Sequence, residues 1–243
     1  MKSPWVAQYE RLEKEHWWWL ARRSIVAATL KRLLPHKTDS LLDVGCGAGL
    51  NLKAYANQWQ CSGLEPDTTL AAAARTNSGV EVLAGSVPGN HPYQDRTFNA
   101  VMMLDVIEHI DDDIGALRDA AELTTPEGHI LINVPAMPWL WSVHDEVNEH
   151  KRRYTRATLR AAINEAGLEL QSMTCWGIAL APAAFLARRL FGRSDTAENY
   201  TVGVPRPFIN SCLRALILLE YHLLRWLPIP VGLSLLAVAR RKK

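Results

Sequence analysis

Leu41-Leu42-Asp43-Val44-Gly45-Cys46-Gly47-Ala48-Gly49-Leu50 is an apolar run that breaks into glycines at every second position and resumes as a helical stretch. The apolar residues predict a buried strand over Ser40–Val44, and the residues from Leu50 to Asn57 predict the helix that follows it. Glycine lets the backbone turn tightly between the two and lets a ligand lie against the chain without meeting a Cβ. A nucleotide-type ligand is the natural occupant of such a turn.

The next strand, Cys61-Ser62-Gly63-Leu64-Glu65, ends in a carboxylate sixteen residues after Gly49. In folds that bind ligands at the carboxyl ends of parallel strands, an acid at this place grips ribose hydroxyls. Glycine turns also serve close packing, and the downstream acid is what separates the two readings. A dinucleotide motif would carry a third glycine three residues after Gly47, where Leu50 stands. Asp43, two residues ahead of Gly45, would repel a pyrophosphate and favours a ligand with an ammonium group. S-adenosylmethionine fits that distribution of charge better than a nicotinamide dinucleotide does.

These residues resemble the class I S-adenosylmethionine-dependent methyltransferases, and within them the small-molecule group similar to the ubiquinone-biosynthesis O-methyltransferases. The likeness covers about Leu20 to Gly167. Asp43 to Gly49 resembles the first motif, Leu64-Glu65-Pro66-Asp67 the ribose-binding acid, and Phe98 to Leu104 the strand that leads to the active site. The resemblance implies a cofactor site of Asp43, Gly45, Cys46, Gly47, Gly49, Glu65, Pro66, Leu104 and Asp105. Gly85, Ser86 and Val87 would face the adenine, with Ser86 where many relatives carry an acid. His109, in Val106-Ile107-Glu108-His109, would lie beside the cofactor's reactive end.

Methyl transfer from a sulfonium gains most from alignment of donor and acceptor. A hydroxyl acceptor would also profit from a base with a pKa near neutrality. Candidates cluster in Pro138-Trp139-Leu140-Trp141-Ser142-Val143-His144-Asp145-Glu146-Val147-Asn148-Glu149-His150-Lys151-Arg152-Arg153-Tyr154. So many histidines, charges and aromatics between a strand and a helix suggest a working loop. His144 offers a base, and Asp145 a carboxylate to orient it or His150. His150 and Arg153 are candidates for holding the acceptor, although surface salt bridging is an equally ordinary use of the arginines. Near the N-terminus, His16-Trp17-Trp18-Trp19 precedes Arg22-Arg23; Trp19 and Arg23 join the acceptor candidates on a helical cover. Three adjacent tryptophans cannot share one helix face, so at least one is expected to meet a partner, a ligand or a neighbouring element.

Alternation of apolar runs with helical stretches predicts a Rossmann-like α/β fold. Its mostly parallel seven-stranded sheet carries helices on both faces and an antiparallel last strand. The predicted strands are Ser40–Val44, Cys61–Glu65, Val80–Ala84, Phe98–Leu104, Gly128–Val134, Leu168–Trp176 and Leu233–Ala239. Helices are expected over Thr68–Thr76, Ile114–Leu123 and Thr155–Ala166, the last with Thr155 as N-cap and Gly167 as its stop. Residues 1–36 read as the cover, 37–177 as the core, 178–230 as a helical insertion over Ala179–Phe191 and Phe208–Trp226, and 231–243 as the final strand with a basic tail.

The chain of 243 residues carries a net charge of +2, too near balance to argue for nucleic acid. Its four cysteines lack disulfide or zinc-ligand spacing, so no metal is expected and the cytoplasm is the default compartment. The apolar stretch from Phe208 to Ala239 is too interrupted by Arg214, Glu220, His222 and Arg225 to cross a bilayer. Leu216, Leu219, Leu223 and Leu227 recur at helical spacing, which reads either as core or as a greasy tunnel or membrane-resting face for a lipid-like acceptor. A non-catalytic S-adenosylmethionine-binding module is the main rival reading, and a nicotinamide-dependent oxidoreductase a weaker one.

Overall fold

In the computed structural model, which describes residues 4–89, 91–93, 95–183, 185–186, 203–224, 226–227 and 231–242, the glycine turn leaves a fully paired central strand. β1 (Ser40–Val44) lies between β2 (Gln60–Glu65) and β4 (Phe98–Leu104), parallel to both. Side chains alternate across a strand, so neighbours Leu41 and Leu42 enter opposite cores. Leu42 packs with Val101, Met103 and Ile132, whereas Leu41 packs with Met102, Leu131 and Leu236.

The sheet runs β3-β2-β1-β4-β5-β7-β6, with β3 at Glu81–Ala84, β5 at Thr124–Pro135, β6 at Leu168–Trp176 and β7 at Ser234–Arg241. Only β7 is antiparallel, wedged between β5 and β6. Every other strand therefore ends at one edge, and that edge carries the predicted site. β5 starts four residues before the expected Gly128. A register shift opposite Phe98 and Ala100 absorbs Pro126-Glu127-Gly128, a sequence that reads locally as a turn.

Helices α3 (Leu50–Tyr55), α4 (Thr68–Ser78), α5 (Asp113–Glu122) and α7 (Arg156–Glu165) follow the strands as the periodicity predicts. Asp67 caps α4 by accepting from the Thr69 and Leu70 amides, and Thr155 caps α7. A short helix not foreseen in the sequence, α6 (Val143–Val147), interrupts the polar loop and is held by a capping box between Ser142 and Asp145.

The N-terminal cover is two helices. α1 (Pro4–Glu15) and α2 (Trp17–Leu33) part at His16, whose Nδ1 accepts from the Trp18 amide at 3.2 Å. In the insertion, α8 (Pro207–Leu224) packs along α2, with the Tyr221 hydroxyl 3.2 Å from Thr29 Oγ1. The predicted helix end at Phe191 and the loop with Gly192, Asp195 and Glu198 lie outside the described residues.

Candidate functional site

Gly45, Gly47 and Gly49 adopt φ of 67°, 56° and 80°, in the left-handed region that side chains disfavour. A Cβ on Gly49 would stand 2.8 Å from the Ala74 backbone, so this glycine serves the contact between α3 and α4. A Cβ on Gly47 would instead stand 2.8 Å from the Tyr9 ring of α1. Gly47 thus faces the space beneath the cover, and Tyr9 lies over it.

Glu65 closes the turn from β2. Its carboxylate accepts from the Gly47 amide at 2.8 Å and from the Asp67 amide at 3.1 Å. Burial raises its pKa, and those two amides partly offset the shift. Pro66 carries the chain from this acid into the α4 cap.

Several buried polar atoms around the turn have no hydrogen-bond partner, among them Asp43 Oδ2, Glu13 Oε2 and Arg22 Nε. Burial, with Glu13 next, pushes Asp43 well above the usual carboxylate range, and burial lifts Glu13 to about 7 against the pull of Arg22 and Arg23. An unpaired buried polar atom costs about 1–3 kcal/mol. Carboxylates and a guanidinium left in this condition suit a ligand that carries both an ammonium and a carboxylate. The residues therefore fit the amino-acid end of S-adenosylmethionine, the cofactor that the sequence resemblance implies.

Beside the turn, Asp105 holds the end of β4. It takes a charge-assisted hydrogen bond from Arg22 Nη1 and a second, at 2.6 Å, from Asn133 Nδ2 on β5. Asn133 in turn accepts from the Trp176 indole at 3.0 Å, and Trp176 stacks on Trp18 with ring centroids 4.3 Å apart. α2 is thereby fastened across the sheet edge through one of the three tryptophans. Trp17, Trp18 and Trp19 are all half-buried, and Trp19 meets His16 edge-on at 5.1 Å.

Asp145 orients His150. Its Oδ1 lies 2.9 Å from His150 Nδ1 and accepts from Arg153 Nε at 2.6 Å, while Oδ2 accepts from the Ser142 amide at 3.0 Å. Arg153 is buried and also donates to the Ala136 carbonyl, so it acts behind the histidine. The ring of His150 stands edge-on to His109 at 4.7 Å and to His144 at 6.1 Å. Burial, and His150 next, keep His109 below the ordinary histidine value. Glu108 is wholly buried, with both carboxylate oxygens unpartnered. Among the described residues, ligand atoms of Glu108, His109 and His150 fall within 4.8 Å of one another, close enough to surround one ion. Burial, reinforced by Asp105, pushes the Glu108 carboxyl well above the usual carboxylate range.

The other sequence-derived candidates spread around this centre. Cys46 is buried behind the turn, and its thiol is raised by burial and by Asp43. Leu104 is buried at the end of β4. Gly85 donates to the Glu65 carbonyl at 3.2 Å, Ser86 is exposed and Val87 enters the core. Arg23 binds Asn51 Oδ1 at 3.0 Å and the Glu13 carbonyl at 2.9 Å, pointing along the cover. His144 is half-buried on α6, with Nδ1 3.3 Å from Asn148. Tyr9, Glu13, Arg22, Glu108, Asn133 and Trp176 were not assigned to the site from sequence. Tyr9 and Glu13 are four residues apart on a helix, a spacing that places them on one face, but nothing local says which face meets the turn.

Comparison with known proteins bears on the same residues. A family model described as "Methyltransferase domain" matches residues 18–173, from the tryptophan cluster to β6. The ubiquinone biosynthesis O-methyltransferase of Yersinia enterocolitica is 27% identical over 112 residues, which cover 42% of this chain and 46% of that protein. Norajmaline N-methyltransferase of Rauvolfia serpentina is 32% identical over 104 residues, covering 40% and 36%. The matched segments span from 36% to 62% of the length of the curated relatives. Among solved structures, the putative methyltransferase bound to the Trm112 activator of Haloferax volcanii superposes with a TM-score of 0.64 at 18% identity, covering 98% of this chain and 95% of that one. A putative methyltransferase of Bacillus halodurans gives 0.61 at 17% identity, covering 90% and 100%. These superpositions establish the Rossmann-like arrangement independently of the sequence motifs.

Proposed function

Starting from the premise that this chain belongs to the methyltransferase-domain family, we propose that it transfers a methyl group from S-adenosylmethionine to an oxygen of a small or lipid-like acceptor. The observation that carries the reading is the set of unsatisfied buried groups, Asp43 and Arg22, placed beside a glycine turn whose amide is tied to Glu65. When bound, the cofactor supplies a methyl group on a positively charged sulfur.

The chain's part is to bind, align and deprotonate. Glu65 offers its carboxylate to hydroxyls, Asp43 to an ammonium, and Arg22 its free Nε to a carboxylate. Tyr9 and the tryptophan cover keep water from the turn. Asp145 is ion-paired to Arg153, and an ionised carboxylate only accepts. It therefore fixes the proton on His150 Nδ1 and leaves Nε2 as a base. His109, held below the ordinary histidine value, is the neutral neighbour that can pass or receive that proton. A base of this kind supports a hydroxyl acceptor; the relatives include both O- and N-methyltransferases.

Titration of the purified protein with S-adenosylhomocysteine tests the cofactor half. Binding is expected, and Glu65→Gln should weaken it roughly 10- to 150-fold, the value of a charge-assisted hydrogen bond of about 1.5–3 kcal/mol. A folded protein that gives no heat with either form of the cofactor would overturn the reading. Methyl transfer from labelled cofactor across hydroxyl, amine and acid acceptors then decides the atom, and exclusive methylation of amines would remove the oxygen assignment.

A further inference from the structure

α8 turns one face to α2 and the sheet edge and the other outward. Inward lie Ile217, Glu220 and Tyr221, all buried. Outward lie Phe208, Leu216, Leu219 and Leu223, with exposures of 81%, 39%, 57% and 65%. The row continues past the helix through Trp226 at 70% and Leu227 at 53%. Spacings of 8, 3 and 4 residues put Phe208, Leu216, Leu219 and Leu223 on one face of an 18-residue helix about 27 Å long. Isolated exposed apolar residues are ordinary, but a contiguous row of large ones marks an interaction surface.

Charge identifies the partner. α2 contains no acid, and Glu220 is the only one in α8. Glu220 is spent on the chain itself, accepting from the Gly177 amide at 2.7 Å and the Ala179 amide at 2.6 Å. The cations stand at the rim: Lys31 and Arg32 are exposed at the end of α2, with the Arg32 guanidinium 5.6 Å from the Trp226 ring, and Arg206 is exposed before α8. Glu15, the acid near the start of α8, is paired with Arg11. An apolar stripe that includes a tryptophan, bordered by cations and, in α2 and α8, without an acid free of a partner, matches a bilayer interface with anionic headgroups. A second copy of this chain would set the same cations against each other. No helix among the described residues is long and apolar enough to cross a membrane, so the contact lies in the plane of the surface.

We infer that the outward face of α8, with Lys31 and Arg32, docks this protein on an anionic membrane surface. The inference does not rest on the methyl-transfer reading. It gives the site a setting nonetheless, because α8 is tied through Glu220 to the residues that leave the carboxyl end of β6.

The full chain should sediment with vesicles of phosphatidylcholine containing phosphatidylglycerol and stay in solution with phosphatidylcholine alone. Leu219→Glu with Leu223→Glu should abolish sedimentation. Lys31→Ala with Arg32→Ala should weaken it roughly 25-fold, about fivefold for each cation near the surface, and raised salt should act the same way. Thermal unfolding and S-adenosylhomocysteine titration of each variant, expected unchanged, separate a lost surface from a lost fold or a lost cofactor site. No sedimentation with anionic vesicles, or sedimentation indifferent to the paired glutamates, overturns the inference. So does a dimer in solution that those glutamates dissociate while vesicles bind nothing, because the stripe would then be the face between two copies.

Discussion

The two halves of the sheet's carboxyl edge are built on different principles. On the β1–β2 side the backbone does the work: three glycines at positive φ and one carboxylate accepting from two amides, all within 25 residues of sequence from Asp43 to Asp67. On the β4–β5 side the work passes to side chains brought from far apart. Arg22 reaches Asp105, Asp105 reaches Asn133, Asn133 reaches Trp176, and Asp145 joins His150 to Arg153. A backbone turn tolerates almost any side chain around it, provided the glycines remain. A side-chain relay tolerates almost no change of partner, because each buried polar atom would be left unsatisfied.

The largest expected effect tests the backbone half. Gly49→Val combines a left-handed conformation, costing about 1–3 kcal/mol, with a collision against Ala74, costing about 1–3 more. Urea unfolding should show a loss on the order of 2–6 kcal/mol. A loss below about 1 kcal/mol would mean that the turn is not the rigid half.

On the side-chain half, His150→Ala should lower kcat roughly 10²- to 10⁴-fold, the usual worth of a general base, while cofactor affinity holds. His144→Ala, which leaves the Asp145–His150 contact in place, should change kcat by less than about threefold. Reversal of that order would return the base to His144 and dissolve the relay through Asp145. Asp145→Asn with His150 intact should also shift the acid limb of the pH–rate profile, a response that a merely structural aspartate would not produce.

The smallest effect lies at the seam between α1 and α2. Burial holds His16 near a pKa of about 4, below the ordinary 6.5, and its neutral Nδ1 caps α2. A folded-state value below the unfolded one gives stability that is complete above about 6.5 and drains away as pH falls towards 4. His16→Ser keeps a capping oxygen without the titration. Thermal melts from pH 7 to 4 should therefore lose part of their slope in this variant, and identical slopes would place the acid sensitivity elsewhere.

Much of the β1–β2 half was legible because its determinants are local. Strands over Ser40–Val44, Phe98–Leu104 and Leu168–Trp176 were predicted at the bounds they have. Where reading failed, local and long-range signals disagreed. Pro126-Glu127-Gly128 reads as a turn and is carried inside β5 by a register shift. The sequence left Asp145 open to His144 or His150; in a helix adjacent side chains diverge, and Asp145 meets His150 five residues on. Arg22 and Arg23 are equivalent on paper; the rotation of α2 gives Asp105 to one and Asn51 to the other.

The sequence by itself determined the doubly wound sheet, the glycine turn and the acid that closes it, because strand burial and glycine conformation are properties of short segments. Tertiary structure alone decided which histidine Asp145 holds, that Tyr9 lies over Gly47, and that the apolar row of α8 faces outward. Each of these depends on the rotation and docking of whole helices, which is set by the packing of their opposite faces and leaves no mark in the spacing of the residues themselves.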